Sequence, residues 1–478
     1  MSKTPYITTA IPYVNGTPHV GHALDYLIAD VYYRYLQNLG EKPRFQAGTD
    51  EHGNKIYDKA LSQGIPVEEY VTKNSDIFRD FIKQLDVHPT DFIRTTDPDH
   101  IRRCQEIWKK LGNYIYSSIY EGWYCTGCES FITEKEYEEN KGICPDHNKE
   151  YIHLSEKNYY LKISVLKDKI KTAIESDKLK ILPEFRKREI LNLLSDSQDV
   201  SVSRPKKNLS WGIPVPGDEE QIMYVWIDAL ANYITVLGYP EKDISDFWPA
   251  DLQVVGKDVL RFHAFIWPAM LLALDLPLPK TILCHGHVLA NGQKMSKSIG
   301  NTINPVDILD KYGLDPFRYY FLRHIDTFAD SDFTWEKFDS AYSDELANDL
   351  GNLVQRLSVL CSKNSVTLEK NLIEETKNQS LNDDEFNNLM NSFDFRKAFD
   401  YIWTKIQALN KRIDEEKPWQ LAKTDPETAK LCLASLIKEL LFSSFLLSPF
   451  LPETSEKIIS IITSDPITPP ESPLFPKN

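Results

Sequence analysis

At 478 residues the chain is too long for one ordinary domain, and a content of 42% hydrophobic and 26% charged residues gives a globular protein ample core material. A net charge of −15 argues against binding nucleic acid over a broadly basic surface, although a local stripe remains in Lys178, Lys180, Arg186, Lys187, Arg188, Arg204, Lys206 and Lys207. Seven cysteines in so long a chain exclude a disulfide scaffold, and no charged-then-apolar leader precedes the first strand-like run, so a cytoplasmic protein is expected.

In chain order, Tyr6 to Ile11 reads as a strand. Thr17 and Pro18 predict a helix start, a capping hydroxyl followed by a proline that needs no donor, and Leu24, Leu27, Ile28, Val31 and Tyr35 then recur at helical spacing. Arg44 to Ala47 is a second strand, ending in the polar run Gly48-Thr49-Asp50-Glu51-His52-Gly53. Strand, polar turn, helix, strand is the rhythm of a parallel α/β sheet, whose ligands bind at the carboxyl ends of its strands. From about residue 117 to 218 the character changes, and this stretch reads as an insertion. Strand signals return at Met223 to Ile227, Leu252 to Val255 and Thr281 to His285.

Beyond about residue 340, Leu346, Leu350, Leu353, Val354, Leu357 and Leu360 form a helical stripe, and similar stripes to about 460 predict an all-α domain. Leu431 to Leu451 is apolar but broken by Lys438, Glu439, Ser443 and Ser444 and closed by Pro449, which predicts a buried bundle helix and no membrane span. Pro466, Pro469, Pro470, Pro473 and Pro476 predict an extended, loosely held tail.

Four constellations carry chemistry. Pro18-His19-Val20-Gly21-His22 sets two imidazoles at the start of the first helix, where unpaired N–H groups and the positive end of the dipole suit phosphate. The glycine between them leaves room for a purine or ribose to lie against backbone. Lys294-Met295-Ser296-Lys297-Ser298, after the turn Asn291-Gly292, offers two ammonium groups for charge developing on a transferring phosphoryl group. Cys125-Thr126-Gly127-Cys128 and Cys144-Pro145-Asp146-His147 make two ligand hooks, three thiolates and one imidazole, a closed tetrahedral site for one structural Zn²⁺. Asn348, Asn352 and Arg356 are spaced by four and so share one helix face.

The first two motifs, in this order and separated by an α/β sheet with an insertion, resemble the two signatures of class I aminoacyl-tRNA synthetases, with Val20 in place of the usual isoleucine. Within that class the chain resembles methionyl-tRNA synthetases of the single zinc-knuckle type along nearly its whole length. The resemblance is carried by Ala10-Ile11-Pro12-Tyr13-Val14-Asn15-Gly16, Gly48 to Gly53, Tyr224-Val225-Trp226-Ile227-Asp228-Ala229 and Gly256-Lys257-Asp258. It implies a Rossmann-type doubly wound parallel sheet with a zinc-knuckle insertion, followed by an α-helical-bundle anticodon-binding domain. Residues 1–116 and 219–310 would be the two halves of the catalytic domain, 117–218 the insertion, 311–340 a linker that contacts the tRNA stem, 341–463 the helical domain and 464–478 the tail.

The resemblance further implies that Ile11, Tyr13, Trp226, Ala229, Tyr233 and His263 line a methionine pocket and that Asp50 holds the substrate ammonium. A thioether is uncharged and polarizable, which suits aromatic edges and one polar partner. ATP would be bound by His19, Gly21, His22, Gly256, Asp258, Lys294 and Lys297, with His19, His22, Lys294 and Lys297 catalytic and Mg²⁺ accompanying the nucleotide. Asn352, Arg356 and Trp419, which follows Lys417-Pro418, would read anticodon bases. One departure is Leu230, where some relatives carry proline. The expected partners are ATP, L-methionine and tRNA(Met), with no membrane. Since the chain ends soon after the helical domain, a monomer is expected. The competing readings are an amino-acid ligase without tRNA, a non-catalytic zinc-containing RNA-binding protein, and a synthetase of neighbouring specificity. The absence of a very large editing insertion weighs against the branched-chain enzymes.

Overall fold

The computed structural model describes residues 3–128, 130–195, 197–295 and 302–476. Its centre is a six-stranded sheet of β1 (Tyr6–Thr9), β2 (Arg44–Thr49), β3 (Asp91–Arg94), β4 (Lys180–Leu182), β5 (Leu252–Gly256) and β6 (Thr281–His285). All neighbours are parallel, in the spatial order β3-β2-β1-β5-β6-β4. β1, β5 and β6 are buried along their whole length, polar Thr8, Thr9, Gln253, Thr281 and His285 included, because both faces of a parallel sheet are covered. The sheet grows outward from β1 through β2 on one side and through β5 on the other. Such a reversal opens a crevice beyond the carboxyl ends of the two central strands, where ligands of open α/β sheets bind.

The strands expected near Tyr6, Arg44, Leu252 and Thr281 are all present. Residues 223–227 differ from expectation. An antiparallel strand ends at Met223, Tyr224 is extended, and a helix begins at Val225. That helix is buried at nearly every position, its polar Asp228, Asn232 and Thr235 included, and its β-branched and aromatic start reads as a strand.

Between β3 and β5 the chain leaves the sheet. Ile115–Cys125, Ser130–Ile132, Ile152–Leu161 and Val200–Ser201 form a four-stranded antiparallel sheet. Within the same stretch β4 returns to the main sheet, with Ile181 opposite Ile282 of β6, so residues 117–218 supply an edge strand as well as an excursion.

Downstream of residue 340 the chain is helical from the π-type turns of Ala341–Gly351 and the helix Asn352–Lys363 through to Pro452–Thr463. The apolar stretch expected as a bundle helix lies in Pro426–Leu447, buried through Leu433, Leu436, Ile437, Leu440 and Leu441. Among the described residues no helix is long and apolar enough to cross a membrane. The tail is not loosely held: Ile467 and Phe475 are 1% and 5% exposed, and Tyr342 Oη donates to the Pro476 carbonyl at 2.7 Å. Its prolines keep it extended, and these apolar side chains dock it.

One helix joins the two parts. α1 (Val20–Asn38) follows β1, packs beneath the sheet and reaches the helical region, where Tyr32 meets Phe393 at 4.9 Å and Tyr35 Oη donates to Asn387 Oδ1 at 3.0 Å. The fully buried Arg318 pairs with Asp30 of α1 at 2.7 Å and donates to the carbonyls of Phe450 and Pro449 at 2.7 and 3.0 Å. A guanidinium can be buried there because a carboxylate and two carbonyls meet its Nε and Nη2 groups.

Candidate active site

A cavity of about 740 Å³ occupies the crevice at the switch point. His19, Gly21 and His22 line it from the start of α1, Ile11, Tyr13 and Asp50 from the ends of β1 and β2, Trp226 from the helix that begins at Val225, and Gly256 and Asp258 from the end of β5.

The start of α1 differs in detail from the expected one. His19, not Thr17, is the N-cap: its Nδ1 accepts from the Gly21 N–H at 3.1 Å, and His22 Nδ1 accepts from the His19 N–H at 3.1 Å. The two imidazoles therefore close a capping box, a task usually given to hydroxyl and carboxylate side chains. The rings stack with centroids 3.9 Å apart. Because both Nδ1 atoms act as acceptors, each neutral ring carries its proton on Nε2 and is a donor there. Gly21 has a further reason to be glycine: a Cβ there would come within 2.9 Å of His19 Cε1, so it makes room for the capping ring itself.

On the other wall, Asp50 is 7% exposed and its backbone pairs with the segment after β1, Asp50 N donating to Pro12 O at 2.9 Å and Val14 N to Asp50 O at 3.1 Å. Its neighbours hold this loop. Glu51 is buried against Arg94 at 2.8 Å, and His52 pairs with Asp228 at 2.6 Å, tying the loop to α2 (Val225–Thr235). Trp226 stacks on Phe262 at 3.8 Å and meets His263 edge-on at 6.4 Å. Ala229, Tyr233 and His263 are buried near Trp226 and do not line the cavity as described, and neither does Leu230, which belongs to the apolar core. His263 Nδ1 faces the Val259 carbonyl at 3.0 Å and must donate, so Nε2 accepts from Tyr233 Oη at 2.7 Å.

Burial lowers His263 to about 4, against a smaller opposing effect of the Val259 hydrogen bond, and lowers His100, bonded to Thr235 Oγ1, to about 3. Both are neutral in the folded protein, while the unfolded chain takes up protons near pH 6.5. Stability is therefore full above about pH 6.5 and falls as pH drops towards 4, each ring contributing on the order of 3 kcal/mol of loss by pH 4. His100→Gln is expected to flatten the fall of Tm between pH 6.5 and 4; an unchanged slope would refute this assignment.

The hairpin after β6 brings the lysine motif to the same end of the sheet. Val288–Ala290 pairs antiparallel with Gln293–Lys294 across Asn291-Gly292, both at positive φ as a two-residue hairpin turn requires. Met295 lines the cavity, as does Val288. Lys294 is placed through its backbone, and Lys297 lies outside the described residues. Sequence reasoning missed Asp25 and His285, which also line the cavity and pair at 2.8 Å. His285 Nδ1 faces the Gly286 carbonyl at 2.8 Å, so both ring nitrogens meet acceptors. Burial alone would lower the pKa of His285, but Asp25, the Gly286 carbonyl and Asp258 together outweigh it and the net shift is upward. Both were within reach of sequence reasoning, since Asp25 is one helical turn beyond His22 and His285 ends a central strand.

The cysteine hooks also converge. The ligand atoms of Cys125, Cys128, Cys144 and His147 all lie within 4.8 Å of one another. Cys128 Sγ is 3.6 Å from Cys144 Sγ and 3.4 Å from His147 Nδ1, and Cys144 Sγ is 3.6 Å from the same nitrogen. Edges of about 3.6–3.8 Å are those of a tetrahedron with metal–sulfur bonds of about 2.3 Å, so the four residues can hold a metal ion. A Cβ at Gly127 would lie 2.4 Å from His147 Cγ, which explains the glycine in the first hook. In the helical region Arg356 is 5.8 Å from the Trp419 ring centroid and donates to Asp414 Oδ1 at 2.6 Å, with exposed Asn352 one turn before it. Asn348 lies in the π-type turns, where a spacing of four no longer means a shared α-helical face.

Comparison with known proteins agrees with this arrangement. The family described as "tRNA synthetases class I (M)" matches residues 5–153 and 147–358, and "Anticodon binding domain of methionyl tRNA ligase" matches residues 362–473. The methionine–tRNA ligase of Clostridium acetobutylicum is 41% identical over 469 residues, covering 95% of this chain and 72% of that one. That of Rickettsia felis is 38% identical over 474 residues, covering 96% and 92%. The structure of Mycobacterium tuberculosis methionyl-tRNA synthetase in complex with methionyl-adenylate superposes with a TM-score of 0.90 at 32% identity, over 99% of this chain and 100% of that one. A doubly wound sheet with paired imidazoles at its switch point, joined to a helical region matched by an anticodon-binding family, thus places this chain in the methionyl-tRNA synthetase family, the methionine–tRNA ligases.

Proposed function

We propose that the cavity at the switch point joins L-methionine to ATP and that the product is passed to the 3′ end of tRNA(Met). A methionine carboxylate oxygen attacks the α-phosphorus in line, the bond to the leaving pyrophosphate breaks, and methionyl-adenylate forms. The terminal ribose 2′-hydroxyl of tRNA then attacks the adenylate carbonyl, and AMP leaves with the bonding pair. A carboxylate is already a nucleophile, so the first step needs positioning and charge stabilisation more than a protein base. The observation that carries this reading is that two Nε2–H donors on the first turn of α1 share one cavity with Asp50, Trp226 and Asp258.

His19 and His22 donate to the phosphate oxygens, reinforced by the helix dipole, while Lys294 and Lys297 meet the charge that develops on the transferring group. Gly21 and Gly256 let the nucleotide approach backbone, and Asp258 accepts from ribose hydroxyls. Mg²⁺ bound with ATP supplies further charge neutralisation. Asp50 holds the methionine ammonium. Ile11, Tyr13 and Trp226 face the side chain, and Ala229, Tyr233 and His263 back them, becoming pocket wall if Trp226 turns. Cys125, Cys128, Cys144 and His147 hold Zn²⁺ with no position left open for water, which makes its role structural. Asn352 and Arg356 hydrogen-bond anticodon bases, and Trp419 stacks on one. Thiolate ligands and unpaired cysteines fit a reducing cytoplasm.

ATP–pyrophosphate exchange with each of the twenty amino acids tests the reading. Methionine alone is expected to support fast exchange, and fast exchange with any other amino acid in its place would end it. Aminoacylation of purified tRNA separates this function from that of an amino-acid ligase without tRNA.

A further inference from the structure

Just past the end of β6 the chain is crossed by a segment from further along it. Gly286 N donates to the Thr327 carbonyl at 3.0 Å, and a Cβ on Gly286 would lie 2.3 Å from the Ala329 carbonyl oxygen. Only a glycine lets the two backbones approach so closely. The crossing segment then runs beside the chain that follows β6: Ser331–Phe333 pairs parallel with Val288–Ala290, with Leu289 opposite Asp332. Gly286, His287 and Val288 line the main cavity, whereas residues 326–333 do not line it as described. The segment therefore stands behind a wall of the site.

Two of its carboxylates reach the two stretches expected to meet ATP. Asp330 accepts from Lys257 Nζ with both oxygens, at 2.8 and 2.6 Å, and from the His287 N–H at 3.0 Å. Lys257 sits between Gly256 and Asp258, which line the cavity, yet Lys257 does not line it as described. Its backbone N–H donates to the His285 carbonyl at 3.1 Å, and its ammonium is held by Asp330. Asp332 Oδ1 accepts from the Gly292 N–H at 2.7 Å. Gly292 is the second turn residue of the hairpin, and Gln293–Lys294 is the strand that returns from it. A two-stranded hairpin is marginal by itself. Here Ser331–Phe333 adds a third strand, and Asp332 fixes the tip.

We propose that Asp330 and Asp332 are positioning residues for adenylate formation: the segment that carries them holds the Gly256–Asp258 end of β5 and the hairpin of Lys294 as one unit, and Lys257 acts through Asp330 and not as a phosphate ligand. The proposal rests on the reading that the main cavity forms methionyl-adenylate. Phosphoryl transfer draws its rate from placement, and a misplacement of about 1 Å costs on the order of a hundred-fold. Neither carboxylate touches Asp50 or Trp226, so loosening the segment reaches the nucleotide side and leaves methionine binding alone.

The test is methionine-dependent pyrophosphate exchange by the whole chain, with kcat and the KM for methionine measured separately. Asp332→Ala is expected to lower kcat by about ten- to a hundred-fold and to change the methionine KM less than about two-fold. Asp332→Asn keeps an oxygen that accepts from the Gly292 N–H, and it is expected to recover kcat to within about three-fold of wild type. At the other contact, Lys257→Met, Asp330→Asn and the double variant form a cycle. Each single change is expected to lower kcat about ten-fold, and the double variant to be at most about three-fold slower than the worse single one, because both remove one contact. The proposal is overturned by near wild-type kcat in Asp332→Ala, or by an asparagine variant as slow as the alanine one. Losses that multiply in the double variant also overturn it, since Lys257 would then act in its own right. So does a methionine KM that rises as much as kcat falls, which reports a general loosening of the cavity. Absence of methionine-dependent exchange in the wild type would overturn the main-cavity reading and this one together. Normal wild-type exchange with any of the other results overturns this one alone.

Discussion

Replacing His22 by alanine is expected to slow methionine-dependent pyrophosphate exchange by about 10²–10³-fold while changing methionine affinity less than about two-fold. The size follows from deleting one preorganised donor aimed at developing phosphoryl charge. His22 has a second task, since its Nδ1 accepts from the His19 N–H, and losing that cap costs about 1 kcal/mol of stability. The two effects separate in His22→Gln: an amide oxygen at the third helical position can reach back to the same N–H, so stability returns while most of the rate loss remains. Exchange by the alanine protein within a few-fold of wild type would remove His22 from the chemistry and leave it a capping residue.

The second large effect concerns the metal cluster. The tip of the excursion has little core of its own: Cys125, Cys144 and Tyr151 are its buried apolar residues, with Trp123, Cys128, Ile132 and Tyr137 packed against them. Structural zinc in small knuckles supplies on the order of 10 kcal/mol of folding free energy, far more than this cluster can. Cys128→Ser is therefore expected to lose its zinc, measured by metal analysis, and to lower tRNA charging by more than about ten-fold. Exchange should fall less, because most of the main cavity is built from the parallel sheet and its loops. Full zinc content in Cys128→Ser, or charging that survives the loss of metal, would contradict a structural ion there.

How much of this could be read from the chain depends on whether an element advertises its surroundings. β1, β5 and β6 announced themselves because short runs rich in β-branched residues, without Asp, Glu, Lys or Arg, suit strands buried on both faces. α2 hid because its first residues, Val225 to Ile227, are β-branched and aromatic and continue the strand that ends at Met223. The cysteine hooks were legible because ligand spacing is local. His19 and His22 were found by position, yet their capping role was not, since an imidazole acting as N-cap has no pattern of its own. Asp25 with His285, and Lys257 with Asp330, join segments far apart in sequence, and no local period reports such pairs. The tail was misjudged because prolines describe its conformation and say nothing of where Ile467 and Phe475 dock.

α1 has its amino end at the main cavity and its flank, through Asp30, Tyr32 and Tyr35, in the helical region. Its 19 residues make a rod of about 28 Å. The spacing between catalysis and the tRNA-facing bundle is thus measured in helical residues and not in loop length. Exchanging one side chain for another along that rod keeps the ruler intact; adding or deleting a single residue would turn one end by about 100° relative to the other, and either the imidazoles or the bundle contacts would lose their aim.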